Sequence, residues 1–316
     1  MNILVVGLGA LGITFAALLK EAGHRVFALV KERHVASFSN NAMKVCGIWG
    51  SHAAMLDGVS PSVESLRTET FDLILLTVKS YDTEQAVSQI MPLLKEQSLI
   101  VSAQNGYGNY ETIARHAGAG HTLLARIIFG ARIVEPGLAD VTVIADDVRI
   151  GQPAGAVAEQ RIREIAASFR AAGIPTSYAT DVYAILWAKI LYNCALNPLG
   201  ALLECSYGAL ADHIETKTIM NNIITEIFGV MKAHSIKVQW KKAEDYLKVF
   251  YTKLVPPTRD HYPSMYHDLK AGKKLEIDAL NGAIVQLARE KGIAVPVNEA
   301  ITDLVKAREL LKTPHP

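Results

Sequence analysis

In the stretch WAKILYNCALNPLG, Trp187 to Gly200, an otherwise apolar segment carries Lys189, Asn193 and Asn197. Residues four apart stack along one face of an α-helix, so an ammonium and two carboxamides form a narrow polar stripe. An ammonium can meet negative charge growing on an oxygen and then supply a proton, while carboxamides donate hydrogen bonds to neighbouring oxygens. Burying an ammonium without partners is costly, so the stripe must face a wet cleft or a polar group that comes and goes. The ordinary alternative is a lysine that snorkels to the surface beside two asparagines that bond to neighbouring helices.

A second constellation opens the chain. Gly7, Leu8, Gly9, Ala10, Leu11 and Gly12 have the spacing G-x-G-x-x-G, directly after an apolar strand and at the start of a helix. The first glycine allows a tight turn, the second lets backbone approach a pyrophosphate, and the third lets helix and sheet pack closely. The helix N-terminus then offers N–H groups to the phosphates. Dinucleotide sites for NAD end their second strand in an acid that holds the ribose hydroxyls. This chain has Lys31, Glu32 and Arg33 there. Lys31 at the strand end suits a 2′-phosphate, hence NADP(H), while Glu32 leaves NAD as the alternative. Lys79 ends another strand on the same edge, either facing a ligand or simply exposed.

These residues need a scaffold, and the hydrophobic pattern supplies one. NILVVGLG, HRVFALV, FDLILLTVKS and SLIVSAQNG read as short buried strands. Helices over Ala10–Ala22, Asp82–Leu94 and Asn109–His116 separate them. Two β-rich runs follow, TLLARIIFGARIVEPG and DVTVIADDVRIG, with a turn at Pro136-Gly137, then a helix over Ala154–Ala172 closed by Gly173. Alternating strands and helices indicate a doubly wound α/β sheet. Beyond Tyr178 the β signal fades. Helical patterns run over Asp181–Pro198, Glu215–Ala233, Lys242–Leu254, Ser264–Ala271, Ile277–Lys291 and Asn298–Lys312. The expected organisation is a Rossmann-type domain over residues 1–177 and an all-α domain over 178–316. The stretch VPPTRDHYP, Val255 to Pro263, reads as a mobile linker between two helices.

Bulk properties narrow the partners. With 32 Lys+Arg against 31 Asp+Glu the net charge is +1, which gives no electrostatic case for nucleic acid or an anionic membrane. The apolar run from Ala184 to Leu203 is interrupted by its lysine, two asparagines and proline, against a membrane span. Cys46, Cys194 and Cys205 are scattered, and the N-terminus shows no basic leader, so a reducing cytoplasm is expected. His261 and His267 with Asp260 or Asp268 match no standard metal spacing, and no metal is expected. A monomer and a homodimer are both compatible with the sequence.

Together GLGALG, TVKS, QNGYGN, WAKILYNCALNPL, PSMYHDLKAGKKLEIDALNG and GIAVPVN, in that order, resemble the ketopantoate reductase (2-dehydropantoate 2-reductase) family along essentially the whole chain. The resemblance implies an N-terminal Rossmann domain, a helical C-terminal domain and NADPH held between them. The implied reaction reduces 2-dehydropantoate to (R)-pantoate on the way to pantothenate. It also implies that Lys189 is the catalytic lysine and Glu276 the second essential acid. Asn105, Asn193, Asn197 and Ser264 would contact the 2-keto acid substrate. Lys31 would contact the 2′-phosphate, and Lys79, Asn105 and Glu276 would lie on the coenzyme side with the glycine loop. Read without the resemblance, Asn105 is a turn residue, Glu276 a helix-start acid and Ser264 an N-cap whose helix end also suits a carboxylate.

The chain departs from the family by carrying Tyr207 and His261 where further substrate-binding asparagines often stand. Two other readings therefore remain beside the main one: a reductase of a different branched 2-keto acid, and a non-catalytic NADP(H)-binding relative.

Overall fold

The computed structural model describes residues 1–38 and 40–312. Its internal contacts divide the chain into two units, Met1–Tyr183 and Ala184–Pro316.

The first unit is built on an eight-stranded sheet whose core is parallel. Its strands, numbered with those of a second sheet, are β1 (Asn2–Val6), β2 (Arg25–Leu29), β3 (Ala42–Gly47), β4 (His52–Met55), β5 (Gly58–Ser60), β6 (Leu73–Leu76), β7 (Leu99–Ser102), β8 (Thr122–Arg126), β9 (Phe129–Glu135), β10 (Leu138–Ile144), β11 (Val148–Gly151) and β12 (Thr176–Tyr178). The large sheet runs β12-β11-β8-β7-β6-β1-β2-β5, with β11 antiparallel to β8. Successive residues alternate between two cores. Ile3 and Val5 face one, Leu4 and Val6 the other, and both faces are dry.

Helices α1 (Ala10–Glu21), α2 (Glu32–Val35), α3 (Thr83–Ile90), α4 (Asn109–Ala117) and α5 (Glu159–Ala171) fill the connections. Ile13 and Phe15 of α1 and Phe169 of α5 join the first core, whereas Val87 of α3 and Ile113 of α4 join the second, so the sheet is doubly wound. A smaller sheet, β4-β3-β10-β9, lies against α1, placing Met43, Val45, Ala139 and Val141 in the same core. Helix α1 is buried continuously from Gly12 to Leu19 because it is covered on both sides.

The sequence patterns do not mark β3, β4 or the small sheet as a separate layer. Strand β3 alternates only over Met43, Lys44 and Val45, and its partner β10 lies far along the chain. The turn expected at Pro136-Gly137 is present, with Gly137 at φ +81. The unit ends after Tyr183 and not after residue 177. The segment past β12 stays bound to it: Ala179 N–H reaches Ile150 O, and Val182 packs so closely on Gly151 that a Cβ there would lie 2.9 Å from Val182 Cβ.

Helix α6 (Val182–Leu202) is followed in the second unit by α7 (Tyr207–Asp212), α8 (Ile214–Ala233), α9 (Ala243–Val249), α10 (Ser264–Lys270), α11 (Asn281–Glu290) and α12 (Pro296–Lys312). No strand occurs among the described residues beyond Tyr178. Helix α6 does not stop at Pro198 as its sequence suggests but continues through it to Leu202. The expected linker is an ordered strap. It holds a 3₁₀ turn at Pro256–Thr258, and Tyr207 N–H and Gly208 N–H bond to the carbonyls of His261 and Arg259 at 3.1 and 2.8 Å. Among the described residues no helix is long and apolar enough to cross a membrane.

Candidate active site

In the first unit the glycine loop leaves the carboxyl end of β1, between β2 on one side and β6 on the other. The chain departs from β1 toward β2 and later returns on β6, so this is the switch point where open α/β sheets bind ligands. Gly7 adopts φ +98, and a Cβ on it would stand 2.8 Å from Val78 Cγ1. A Cβ on Gly12 would lie 2.0 Å from Gly7 O, where no side chain fits. Gly9 is different: a Cβ there would meet nothing within 4 Å. The protein closes on the first and third glycines and leaves the second open, which is what a pyrophosphate pressed onto backbone requires. The first helical bond is Ile13 N–H to Gly9 O at 2.9 Å, so the preceding amides point out of the helix end, and no acid stands in the first turn. Thr77 Oγ1 ties the turn from the neighbouring strand, donating to Gly7 O at 2.6 Å. Leu8, Ala10 and Leu11 complete this cradle, and its residues fit a dinucleotide.

Lys31 follows β2 and caps the four-residue helix α2. Its ammonium lies 2.8 Å from Asp82 Oδ2, in the loop after β6. Half-buried Lys79 stands in that same loop, where its carbonyl accepts Asp82 N–H at 2.9 Å.

Asn105 comes from the loop after β7, half-buried, ahead of Gly106 at φ +85. A chain of hydrogen bonds locks this loop to the one after β6. Gln104 Nε2 donates to Val78 O at 3.0 Å and Thr83 Oγ1 at 2.6 Å; Thr83 donates to Asn109 Oδ1 at 2.7 Å; Asn109 Nδ2 donates to Asn105 O at 2.8 Å. Gln104, Thr83 and Asn109 are all buried. Behind them Glu111 accepts from Tyr183 Oη at 2.9 Å, and burial raises its carboxyl pKa despite that bond.

In the second unit α6 keeps Lys189, Asn193 and Asn197 on one stripe, with Lys189 half-buried and both asparagines buried. Tyr207, Pro263 and Asn281 are among the residues that reach this helix. Tyr207 Oη donates to Asn197 Oδ1 at 2.5 Å, and burial pushes the phenol well above its ordinary pKa. With one lone pair of its carbonyl occupied, Asn197 keeps both N–H donors to offer. Pro263 packs on Gly200, where a Cβ would come within 2.9 Å of its ring. Asn281 Nδ2 reaches Cys194 O at 3.2 Å.

The last two contacts anchor the segments that carry Ser264 and Glu276. Ser264 is exposed at the first position of α10, but Pro263 holds the cap position, so the serine is not the N-cap its sequence suggests. Glu276 is half-buried between Leu275 and Ile277, both in the core, and opens the 3₁₀ turn Ile277–Ala279. Tyr207, read from sequence only as a departure, belongs to the stripe. His261 lies behind it with ring centroids 5.3 Å apart. The sequence pattern does not mark Asp82, Gln104, Asn109 or Asn281 as site residues. Only the asparagine of QNGYGN and the NG of DALNG, read as family motifs, pointed toward the last two. Among the described residues no group of three or more His, Cys, Asp or Glu side chains could hold a metal.

Residues 3–155 match the family model described as ketopantoate reductase PanE/ApbA, and residues 181–309 match its C-terminal counterpart. The chain is also 47% identical over 310 residues to the 2-dehydropantoate 2-reductase of Aquifex aeolicus, covering 98% of this chain and 97% of that one. It belongs to the ketopantoate reductase family. A PanE/ApbA family ketopantoate reductase from Ralstonia eutropha matches with a TM-score of 0.86 at 27% identity, over 98% of this chain and 99% of the other. A D-mandelate dehydrogenase solved with NADH and anilino(oxo)acetate matches at 0.87 and 22% identity, over 98% and 99%, and shares the fold. Within this ketopantoate reductase fold, the glycine cradle and the lysine-asparagine stripe fall in different units.

Proposed function

We propose that this chain reduces 2-dehydropantoate to (R)-pantoate with NADPH. The observation that carries the reading is its full-length likeness to the Aquifex aeolicus enzyme at 47% identity. The cradle at Gly7, Gly9 and Gly12 would hold the pyrophosphate, and Lys31 and Lys79 would lie toward the phosphates. Reduced nicotinamide, when bound, supplies a hydride to the C2 carbonyl carbon. As that carbon accepts hydride its oxygen gains negative charge, which the Lys189 ammonium meets with a hydrogen bond and then neutralises with a proton. The C=O double bond becomes a C–O single bond with a new C–H from the hydride and a new O–H from the lysine's proton, and the lysine is reprotonated from solvent. Asn193 and Asn197 would donate to the keto and carboxylate oxygens, with Tyr207 holding Asn197 in the donor orientation. Glu276 would accept from the substrate's terminal hydroxyl, and Ser264 and Asn105 would complete the contacts. The thiols Cys46, Cys194 and Cys205 are all free, which suits a cytoplasmic enzyme.

Tyr207 also favours a second reading, reduction of a different branched 2-keto acid, because it stands where the family often has a substrate-binding asparagine and its hydroxyl bonds Asn197 Oδ1. The experiment is NADPH oxidation with 2-dehydropantoate beside a panel of 2-keto acids. A kcat/KM for 2-dehydropantoate at least tenfold above every other acid supports the first reading, and a reversed order supports the second. Coenzyme binding without turnover on any acid leaves the non-catalytic relative.

A further inference from the structure

The carboxyl ends of β2 and β6 bring a cation and an anion to one point, with Lys31 Nζ 2.8 Å from Asp82 Oδ2. Asp82 closes the 3₁₀ turn Ser80–Asp82 ahead of α3, makes no side-chain cap bond there, and turns its carboxylate to Lys31. The pair is accessible, at 43% exposure for Lys31 and 20% for Asp82. In dinucleotide-binding sheets this is where an acid recognises a ribose diol or a cation recognises a 2′-phosphate. Here the acid is present but comes from the loop after β6, on the far side of β1 from β2.

The geometry points to Asp82 as a coenzyme-specificity residue, which competes with the 2′-phosphate for Lys31 so that NADH is accepted alongside NADPH. This rests on the coenzyme reading given above. A 2′-phosphate carries about −1.5 to −2 charges at neutral pH and can reach Lys31 only by displacing or standing beside a carboxylate. NADH brings no such charge and leaves the ion pair intact, with Asp82 able to accept from the ribose hydroxyls.

The test is a binding titration on the full chain, following coenzyme fluorescence for NADPH and NADH and competition for 2′-AMP against AMP. The parent should bind the two coenzymes within about tenfold of one another. Asp82→Asn should tighten NADPH and 2′-AMP by about tenfold, an effect weakened in high salt, without tightening NADH or AMP. Asp82→Ser, which also removes the charge but with a different side chain, should give the same shift. A parent preference for NADPH above about a hundredfold overturns the proposal, and so does an NADPH:NADH ratio unmoved in both variants; either leaves the coenzyme site standing. A parent that binds neither coenzyme overturns the site and the proposal together.

Discussion

Asn281 Nδ2 lies 3.2 Å from the carbonyl oxygen of Cys194, the oxygen for which Pro198 has no N–H to offer. In an uninterrupted helix the amide four residues on would fill that acceptor. Asn281, fully buried at the first turn of α11, fills it from outside, so α6 runs past its proline. The same amide nitrogen reaches Asn298 Oδ1 at 3.0 Å; Asn298 in turn donates to Glu226 at 2.7 Å, and that carboxylate caps α12 through Val297 and Asn298 N–H, both at 2.9 Å. Asn193 and Asn197 flank the repaired turn.

Asn281→Ala should therefore cost more than a surface change. It strands Cys194 O and Asn298 Oδ1 in a dry core and leaves a cavity, for a loss of about 2–4 kcal/mol. Urea denaturation reads this directly. Because the break falls inside the asparagine stripe, kcat/KM for the keto acid should fall while the NADPH dissociation constant stays within twofold. Loss of both in proportion would mean that the residue supports the unit as a whole and not the stripe.

The distances involved explain what the sequence could carry. The cradle was legible because its glycines, strand and helix are contiguous, and the stripe because helical spacing is local. Pro198 reads as a helix end, since the asparagine that rescues it lies 87 residues from Cys194, whose carbonyl it fills. Asp82 was invisible for the same reason, 51 residues from Lys31. Strand β3 pairs with β10 across most of the unit, and no short window contains that relation. Tyr207 sits only ten residues from Asn197, but periodicity could not foresee a tyrosine turned back on its own preceding helix.

Lys189→Ala tests the proton donor. Turnover should fall by roughly 10²–10⁴ with NADPH affinity little changed, since general-acid catalysis contributes about that much. Stopped-flow single turnovers locate the loss in the hydride step. Activity within a few-fold of the parent would sink the assignment.

The glycines make a sharper pair. Gly9→Ala should fold with an unchanged melting temperature, because its Cβ meets no protein atom within 4 Å, yet bind NADPH at least about tenfold more weakly by crowding the pyrophosphate. Gly12→Ala places a Cβ 2.0 Å from Gly7 O and should be unstable before any ligand is added. Thermal melts with and without NADPH separate the two. Equal effects from both substitutions would remove the cradle's claim to a ligand.

Acid stability should depend on Asp146, in the turn before β11. Arg126 and Arg149 face each other across β8 and β11, and Asp146 lies between them, 2.5 Å from one guanidinium and 2.9 Å from the other. Like charges directly opposed weaken a sheet. Arg126 is buried, and its Nε and Nη1 have no hydrogen-bond partner, so its charge leans on this carboxylate. Burial alone would raise the Asp146 pKa, but the hydrogen bonds from Arg149 and Arg126 outweigh it and bring it to about 2. An unfolded aspartate titrates near about 3.9, so the folded chain holds the ionised form more strongly. Its stabilisation is complete above about pH 4 and disappears as the pH falls through about 2. Asp146→Asn should cost about 2–4 kcal/mol at pH 7, because an unpaired buried guanidinium remains, and should flatten the decline in stability between pH 4 and 2. Denaturation series at pH 7, 4 and 2.5 measure both effects. A variant that loses stability with acid as steeply as the parent would show that other carboxylates govern this window.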